Sequence, residues 1–178
     1  MSIQAGTHQI GPSNGSLTIK TGREGAAAKA GHDLVLEATT WDGTLEIGDD
    51  DASVKLTVDP SSIEVQSGSG GAKPLGDKDK ADIKKSMKDK ILGGSQISFE
   101  SDDVKVDNGS MNVSGNLSLA GSSNSITVPL TVGDDGTVKG SVKLSQSDYG
   151  IKQFKALMGA LKVSDTVEVQ LECKLPTG

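Results

Sequence analysis

The chain has 178 residues, a formal net charge of −6 and only 2% aromatic residues. It is long enough for one well-buried domain and nothing forces a second, so residues 1–178 are read as a single unit. The acidic balance excludes nucleic acid as the main partner, because neutralising phosphates requires a basic face.

Met1 to Ile10 has neither a basic stretch nor an apolar run, so no secretory signal is read there and the expected location is the cytoplasm. No segment approaches the ~18 apolar residues of a membrane span. Gly11-Pro12-Ser13-Asn14-Gly15 has the letters of a nucleophile elbow, but a Pro-containing turn running into a strand lacks the strand–Ser–helix setting. It is read as a turn. Leu17–Ile19 is a strand, and His32 opens another that carries Leu34, Leu36 and Ala38. Asp42-Gly43 then predicts a hairpin leading into Leu45 and Ile47. Asp49-Asp50-Asp51 lacks the ligand spacing of a calcium loop and reads as a solvated hairpin tip.

Strands follow at Val54–Val58 and Ile63–Val65. The glycine-rich Ser67 to Gly71 stretch fails the phosphate-loop pattern because Lys73 precedes Pro74. From Asp77 to Leu92 the period changes. Ile83, Met87 and Ile91 fall at i, i+4 and i+8, acids lie early, lysines lie late, and Gly93-Gly94 follows, which predicts a helix. Its six lysines against four aspartates make it locally basic, with a solvated lysine face and a core-packing face.

Ile97–Phe99, Val104 and Val106 lead to a second predicted hairpin at Asn108-Gly109. Met111, Val113, Leu117 and Leu119 alternate with Asn112, Ser114, Asn116 and Ser118. After a turn at Gly121-Ser122-Ser123-Asn124, Ile126, Val128, Leu130 and Val132 repeat the code. A period of two places one set on a dry face and the other on a wet one. Asp135-Gly136 predicts a third hairpin, followed by Val138, Val142 and Leu144. A second helix is predicted over Ile151 to Leu161, with Ile151, Phe154, Leu157, Met158 and Leu161 on one face. The last strand, Val167–Leu175, contains the single Cys173, expected to be buried and inert.

Roughly eight antiparallel strands with short connections and one dry face favour a closed antiparallel barrel over a sandwich, with the two helices covering it. His8 and His32 are too few for a metal site, and no cofactor is expected.

Several motifs, in order, resemble the YceI-like family of lipocalin-like, polyisoprenoid-binding barrels. Gln96-Ile97-Ser98-Phe99-Glu100-Ser101 resembles its Ile-x-Phe-x-Ser strand, and Val113-Ser114-Gly115-Asn116-Leu117-Ser118-Leu119-Ala120-Gly121 its Val-x-Gly-x-Leu-x-x-x-Gly hairpin. Ser147-Asp148-Tyr149-Gly150-Ile151 is similar to its Ser-Asp-Phe-Gly-Ile element, and Val163-Ser164-Asp165-Thr166-Val167 to the entry of its last strand. His32 matches the family's early His, although Asp33 stands where the family has Ser. The resemblance spans about Gly15 to Leu175 and implies a lipocalin-like barrel that holds an isoprenoid chain, such as a quinone tail, without catalysis.

The residues supply a separate physical basis: four aromatic side chains fill little volume, and an eight-stranded barrel is wide enough for one slender ligand. The expected lining is Leu36, Leu45, Leu56, Ile97, Phe99, Val113, Leu117, Leu119, Val128, Leu130, Val142 and Leu144. His32, Phe154, Leu157 and Met158 are expected at the mouth. The expected partner is an isoprenoid or similar long-chain lipid, with transient membrane contact. Pairing of two barrels stays open, as does the alternative of a ligand-free structural or protein-interaction barrel.

Overall fold

A computed structural model describes residues 3–49, 51–107 and 109–178. Asp50 and Asn108, each part of a predicted hairpin tip, lie outside the described residues. Twelve strands form one antiparallel sheet. They are β1 (Gly6–Ile10), β2 (Gly15–Glu24), β3 (His32–Ala38), β4 (Trp41–Ile47), β5 (Ala52–Val58), β6 (Ile63–Gly70), β7 (Ile97–Asp107), β8 (Ser110–Leu119), β9 (Ser122–Val132), β10 (Thr137–Ser145), β11 (Lys155–Ala156) and β12 (Leu161–Lys174). The hydrogen-bonded path runs β1-β4-β5-β7-β8-β9-β10-β12-β2-β3-β6, with the short β11 paired to β12.

This corrects the expected closed barrel of about eight strands. The sheet is curled into a barrel-like wall, but among the described residues no ladder joins its terminal strands β1 and β6. The strands not read from sequence are β1 and the two-residue β11, which carry no alternating apolar run, and three long extended runs are broken near their middles. Gly11–Asn14 separates β1 from β2, Thr39-Thr40 separates β3 from β4, and a single 3-10 turn at Pro60–Ser62 separates β5 from β6. That last corner is held by Asp59, whose carboxylate accepts from the Ser61 N–H (2.9 Å) and hydroxyl (2.6 Å).

One edge of β6 carries no strand. Instead the chain leaves β6 into a helix, α1 (Asp77–Met87), passes through a π-helical turn at Lys88–Leu92, and enters β7. This confirms the predicted Asp77 to Leu92 helix. The Asp79 carboxylate accepts from the Gly76 N–H at 2.9 Å at its start, and Gly93, at φ 62°, ends it.

The second predicted helix does not form. Ile151 to Phe154 is irregular, β11 follows, and a 3-10 turn at Leu157–Gly159 leads into β12. The helical spacing of its apolar residues is coincidental. Lys155 and Ala156 are claimed by pairing with Lys162 and Leu161, and Leu157 and Met158 take positive φ values of 50° and 59°.

Asp42-Gly43 is not a turn either, since Gly43 lies inside β4 between Ile10 and Leu56. A Cβ there would sit 2.8 Å from the Lys55 carbonyl and 2.9 Å from the Ile10 and Leu56 side chains, so its role is close strand approach. The β8–β9 turn is Ala120-Gly121, both at positive φ, and Ser122, Ser123 and Asn124 already belong to β9. The β9–β10 hairpin forms as expected, with Gly136 at φ 82° and its N–H donating to the Gly133 carbonyl at 3.0 Å.

Because neighbouring long runs are antiparallel, the ends of β4, β7 and β9 and the starts of β5, β8 and β10 gather at one end. That end is filled: Leu45, Met111, Val138, Cys173 and Leu175 are buried there. Burial pushes the Cys173 thiol up to about 11, which keeps it protonated and unreactive. Tyr149 is also buried, and its hydroxyl has no hydrogen-bond partner among the described residues.

Two stability predictions follow from these contacts. A Cβ at Gly140 would lie 2.5 Å from the Pro129 carbonyl and would clash with Leu130, whereas nothing lies within 4 Å of one at Gly94. Gly140→Val is expected to lower stability by ~1–3 kcal/mol in urea denaturation, with Gly94→Ala near wild type. Tyr149→Phe removes a buried, unpaired hydroxyl and is expected to leave stability unchanged or raise it by about 1 kcal/mol. A loss in the same assay would mean that the hydroxyl is satisfied in solution.

Candidate functional site

The opposite end, where loops 25–31, 119–122 and 145–161 meet the 70–97 connection, is not filled. An apolar cavity of about 420 Å³ opens there, enclosed by the concave face of the sheet and by the α1 segment. Alternation builds its wall. Leu17 and Ile19 of β2, Leu34 and Leu36 of β3, Leu56 and Val58 of β5, Ile97 and Phe99 of β7, Leu117 and Leu119 of β8, and Ile126 and Val128 of β9 all point inward. Lys55, Glu100, Asn116 and Lys139 alternate with such residues on the outer face, and Lys55 pairs there with Glu100 at 3.6 Å.

A bulge between Ser101 and Asp103 shifts the phase of β7. Gly115 sits opposite it, where a Cβ would lie 2.7 Å from the Ser101 Cα. Where β6 lacks a strand neighbour, Ile83, Met87, Ile91 and Leu92 complete the wall, so the helical segment covers the seam with apolar groups.

Polar groups on the lining are few. Thr21 Oγ1 accepts from the Leu34 N–H at 3.2 Å, and Gln146 Nε2 donates to the Ser164 carbonyl at 3.1 Å, so both have partners in the wall. Asp82 and Ser86 belong to α1, and Asp82 is exposed. Among the described residues, no three His, Cys, Asp or Glu side chains gather as metal ligands would. The wall can exclude water and surround an apolar chain, but it offers no set of polar groups aimed into the cavity.

Of the residues expected to line the lumen, Leu36, Leu56, Ile97, Phe99, Val113, Leu117, Leu119, Val128, Leu130, Val142 and Leu144 do so. Leu45 does not. It is buried in the filled end, because β4 passes behind the cavity floor. Of the expected mouth residues, Phe154 reaches the cavity. Leu157 and Met158 point to solvent, at 58% and 107% exposure, as the missing helix requires.

His32 is not on the wall, because its Nε2 donates to the Lys73 carbonyl at 2.7 Å and so braces the loop after β6. The Ser67 to Gly71 glycines serve that brace, since a Cβ at Gly71 would meet the His32 ring and one at Gly70 the Arg23 guanidinium. The α1 contribution was readable from Ile83, Met87 and Ile91. Ile151 was placed on the apolar face of a helix that does not form, yet it reaches the cavity, whereas the inward turn of Val163 was not readable, because it flanks an irregular segment.

No curated protein matches the chain. Among solved structures, Burkholderia cenocepacia BcnA is similar, with a TM-score of 0.64 and 16% identity over 89% of this chain and 94% of that one. A Campylobacter jejuni YceI protein aligns with a TM-score of 0.51 and 15% identity over 100% of this chain and 91% of that one. At such identities the likeness is one of fold. The profile of the YceI-like domain covers residues 9–175, nearly the whole length. With its curled antiparallel sheet and apolar interior, this chain belongs to the YceI-like domain family.

Proposed function

We propose that the protein binds and carries, without catalysis, a long apolar lipid of the isoprenoid type in the cavity of its curled sheet. The observation that carries this reading is a cavity of about 420 Å³ whose wall is built almost wholly from Val, Leu, Ile, Met and Phe. Its size falls within the ~300–1,000 Å³ of ordinary ligand pockets. Lipids of this kind need no directional recognition. Each CH₂-sized unit transferred from water gains about 0.8 kcal/mol, and a slender branched chain can follow a lumen that a globular ligand cannot.

Two further features support the reading. Met111, Val138 and Cys173 are buried near the β7–β8 and β9–β10 connections and do not line the cavity, so the filled end forms a floor and the vacancy lies toward the loop-rich end. The polar lining residues Thr21 and Gln146 are already hydrogen-bonded in the wall, so an apolar occupant strands no polar group.

Mass spectrometry of organic extracts of the purified protein should recover a long apolar lipid, and the stripped protein should take up a long-chain isoprenoid alcohol. Leu56→Phe, which fills part of the lumen, should weaken uptake ~10-fold. Leu117→Asp should abolish uptake or unfold the sheet, since an unpaired carboxylate there is costly. Val106→Phe, at a position 63% exposed, should change neither. Absence of lipid together with failure to take one up would defeat the carriage reading and leave a ligand-free structural or protein-interaction module.

A further inference from the structure

The loop-rich end carries a second feature. The β11–β12 hairpin projects Leu157 and Met158 from its tip, at 58% and 107% exposure. Both occupy positive φ, which residues bearing a Cβ rarely adopt. Single exposed apolar residues are ordinary on any surface. Two adjacent ones, fixed outward on a paired hairpin, are less so.

The charge around them is the second observation. Lys155 and Lys162 face each other directly across the hairpin, an arrangement of like charges that weakens a strand pair and that Glu24, opposite Lys162 on β2, offsets only on one side. Lys152 is exposed just before the hairpin. Lys29 is exposed on the neighbouring 3-10 turn, whose preceding Ala27 N–H donates to the Ala160 carbonyl at 2.8 Å. Lys90 places its Nζ 5.5 Å from the Phe154 ring centroid. The acids nearby are Glu24, which accepts from Gln153 at 2.6 Å, and Asp165, which accepts from Ser147. The chain as a whole is acidic, at −6, so this concentration of lysines runs against its average.

The hairpin also touches the cavity. Phe154 and Val163 at its base line the wall and are joined by a Val163 N–H to Phe154 carbonyl bond of 3.0 Å.

From this juxtaposition we infer that the β11–β12 tip is a docking element for an anionic lipid bilayer, with Leu157 and Met158 entering the apolar boundary and Lys152, Lys155 and Lys162 lying on the headgroups. An anionic surface matches both halves of the patch, because it relieves the lysine–lysine opposition and accepts the protruding apolar pair. A neutral protein groove would satisfy the apolar pair alone. The purpose of docking, passage of lipid between bilayer and cavity beside Phe154, rests on the carriage reading; the docking itself does not.

Flotation of the full chain with vesicles of phosphatidylcholine alone, or of phosphatidylcholine with phosphatidylserine, tests it. The wild type should float with the phosphatidylserine vesicles, less so as salt rises, and hardly with the neutral ones. Met158→Asp should lower the affinity on the order of tenfold, and so should the Lys155→Gln, Lys162→Gln pair, with unchanged thermal melting; Met158→Leu should retain it. Equal flotation of wild type and Met158→Asp would overturn the assignment. So would a dimer, seen by sedimentation velocity without vesicles, that Met158→Asp dissociates while flotation stays unchanged. Normal isoprenoid uptake by Met158→Asp in vesicle-free solution, with flotation lost, would support docking as a separate property. Flotation that depends on Met158 in a protein that takes up no isoprenoid would sustain docking and remove carriage.

Discussion

The structure depends on a shortage of side-chain volume on a concave apolar face. A curled sheet must bury its inner face, and the usual means of filling so wide an interior is aromatic. This chain has one Trp, one Tyr and two Phe, and they are unevenly placed. Trp41 and Tyr149 are both buried outside the cavity lining. Aliphatic side chains reaching in from opposite walls do not meet at the loop-rich end, and the vacancy is what remains. The burial of the wall stabilises the fold at about 25 cal/mol per Å² of apolar surface, but a void forgoes the dispersion contacts that a packed core would add.

The same constraint explains the helix. With β6 and β7 separated by a long connection, the sheet leaves an edge of β6 without a strand partner. A lysine- and aspartate-rich helix covers that edge by presenting Ile83 and Met87 inward and its charges outward, with Lys84 bridging to Glu64 of β6 at 3.1 Å. Such exposed pairs contribute little stability, so the apolar face does most of the holding.

The period-two code made the inner face legible residue by residue, and eleven of the twelve residues assigned to the lining from sequence stand on the cavity wall. Alternation fixes which side a residue faces but not how high along the lumen it sits. Leu45 was misplaced for that reason, facing inward at the filled end. The strand count fell short at Gly6–Ile10 and Lys155–Ala156, which have no alternating apolar run, and the β3–β4 corner was missed because Thr39-Thr40 carries no Gly to announce it. Gly43 carries one and is no corner, since crowding between strands selects glycine as strongly as a turn does. The spurious helix at Ile151 to Leu161 arose from five apolar residues at helical spacing in a segment where hairpin pairing decides the backbone.

The central claim is that the vacancy between these aliphatic walls is the binding site. Methyl NMR of the stripped protein, labelled at Leu, Val and Ile and titrated with a long-chain isoprenoid alcohol, tests it most directly. The account predicts shifts confined to cavity methyls such as Leu56, Leu117, Val128 and Leu144, with Leu45 and Val138 at the filled end unmoved. Shifts clustered on the outer face, or none while the cavity resonances stay sharp, would contradict it.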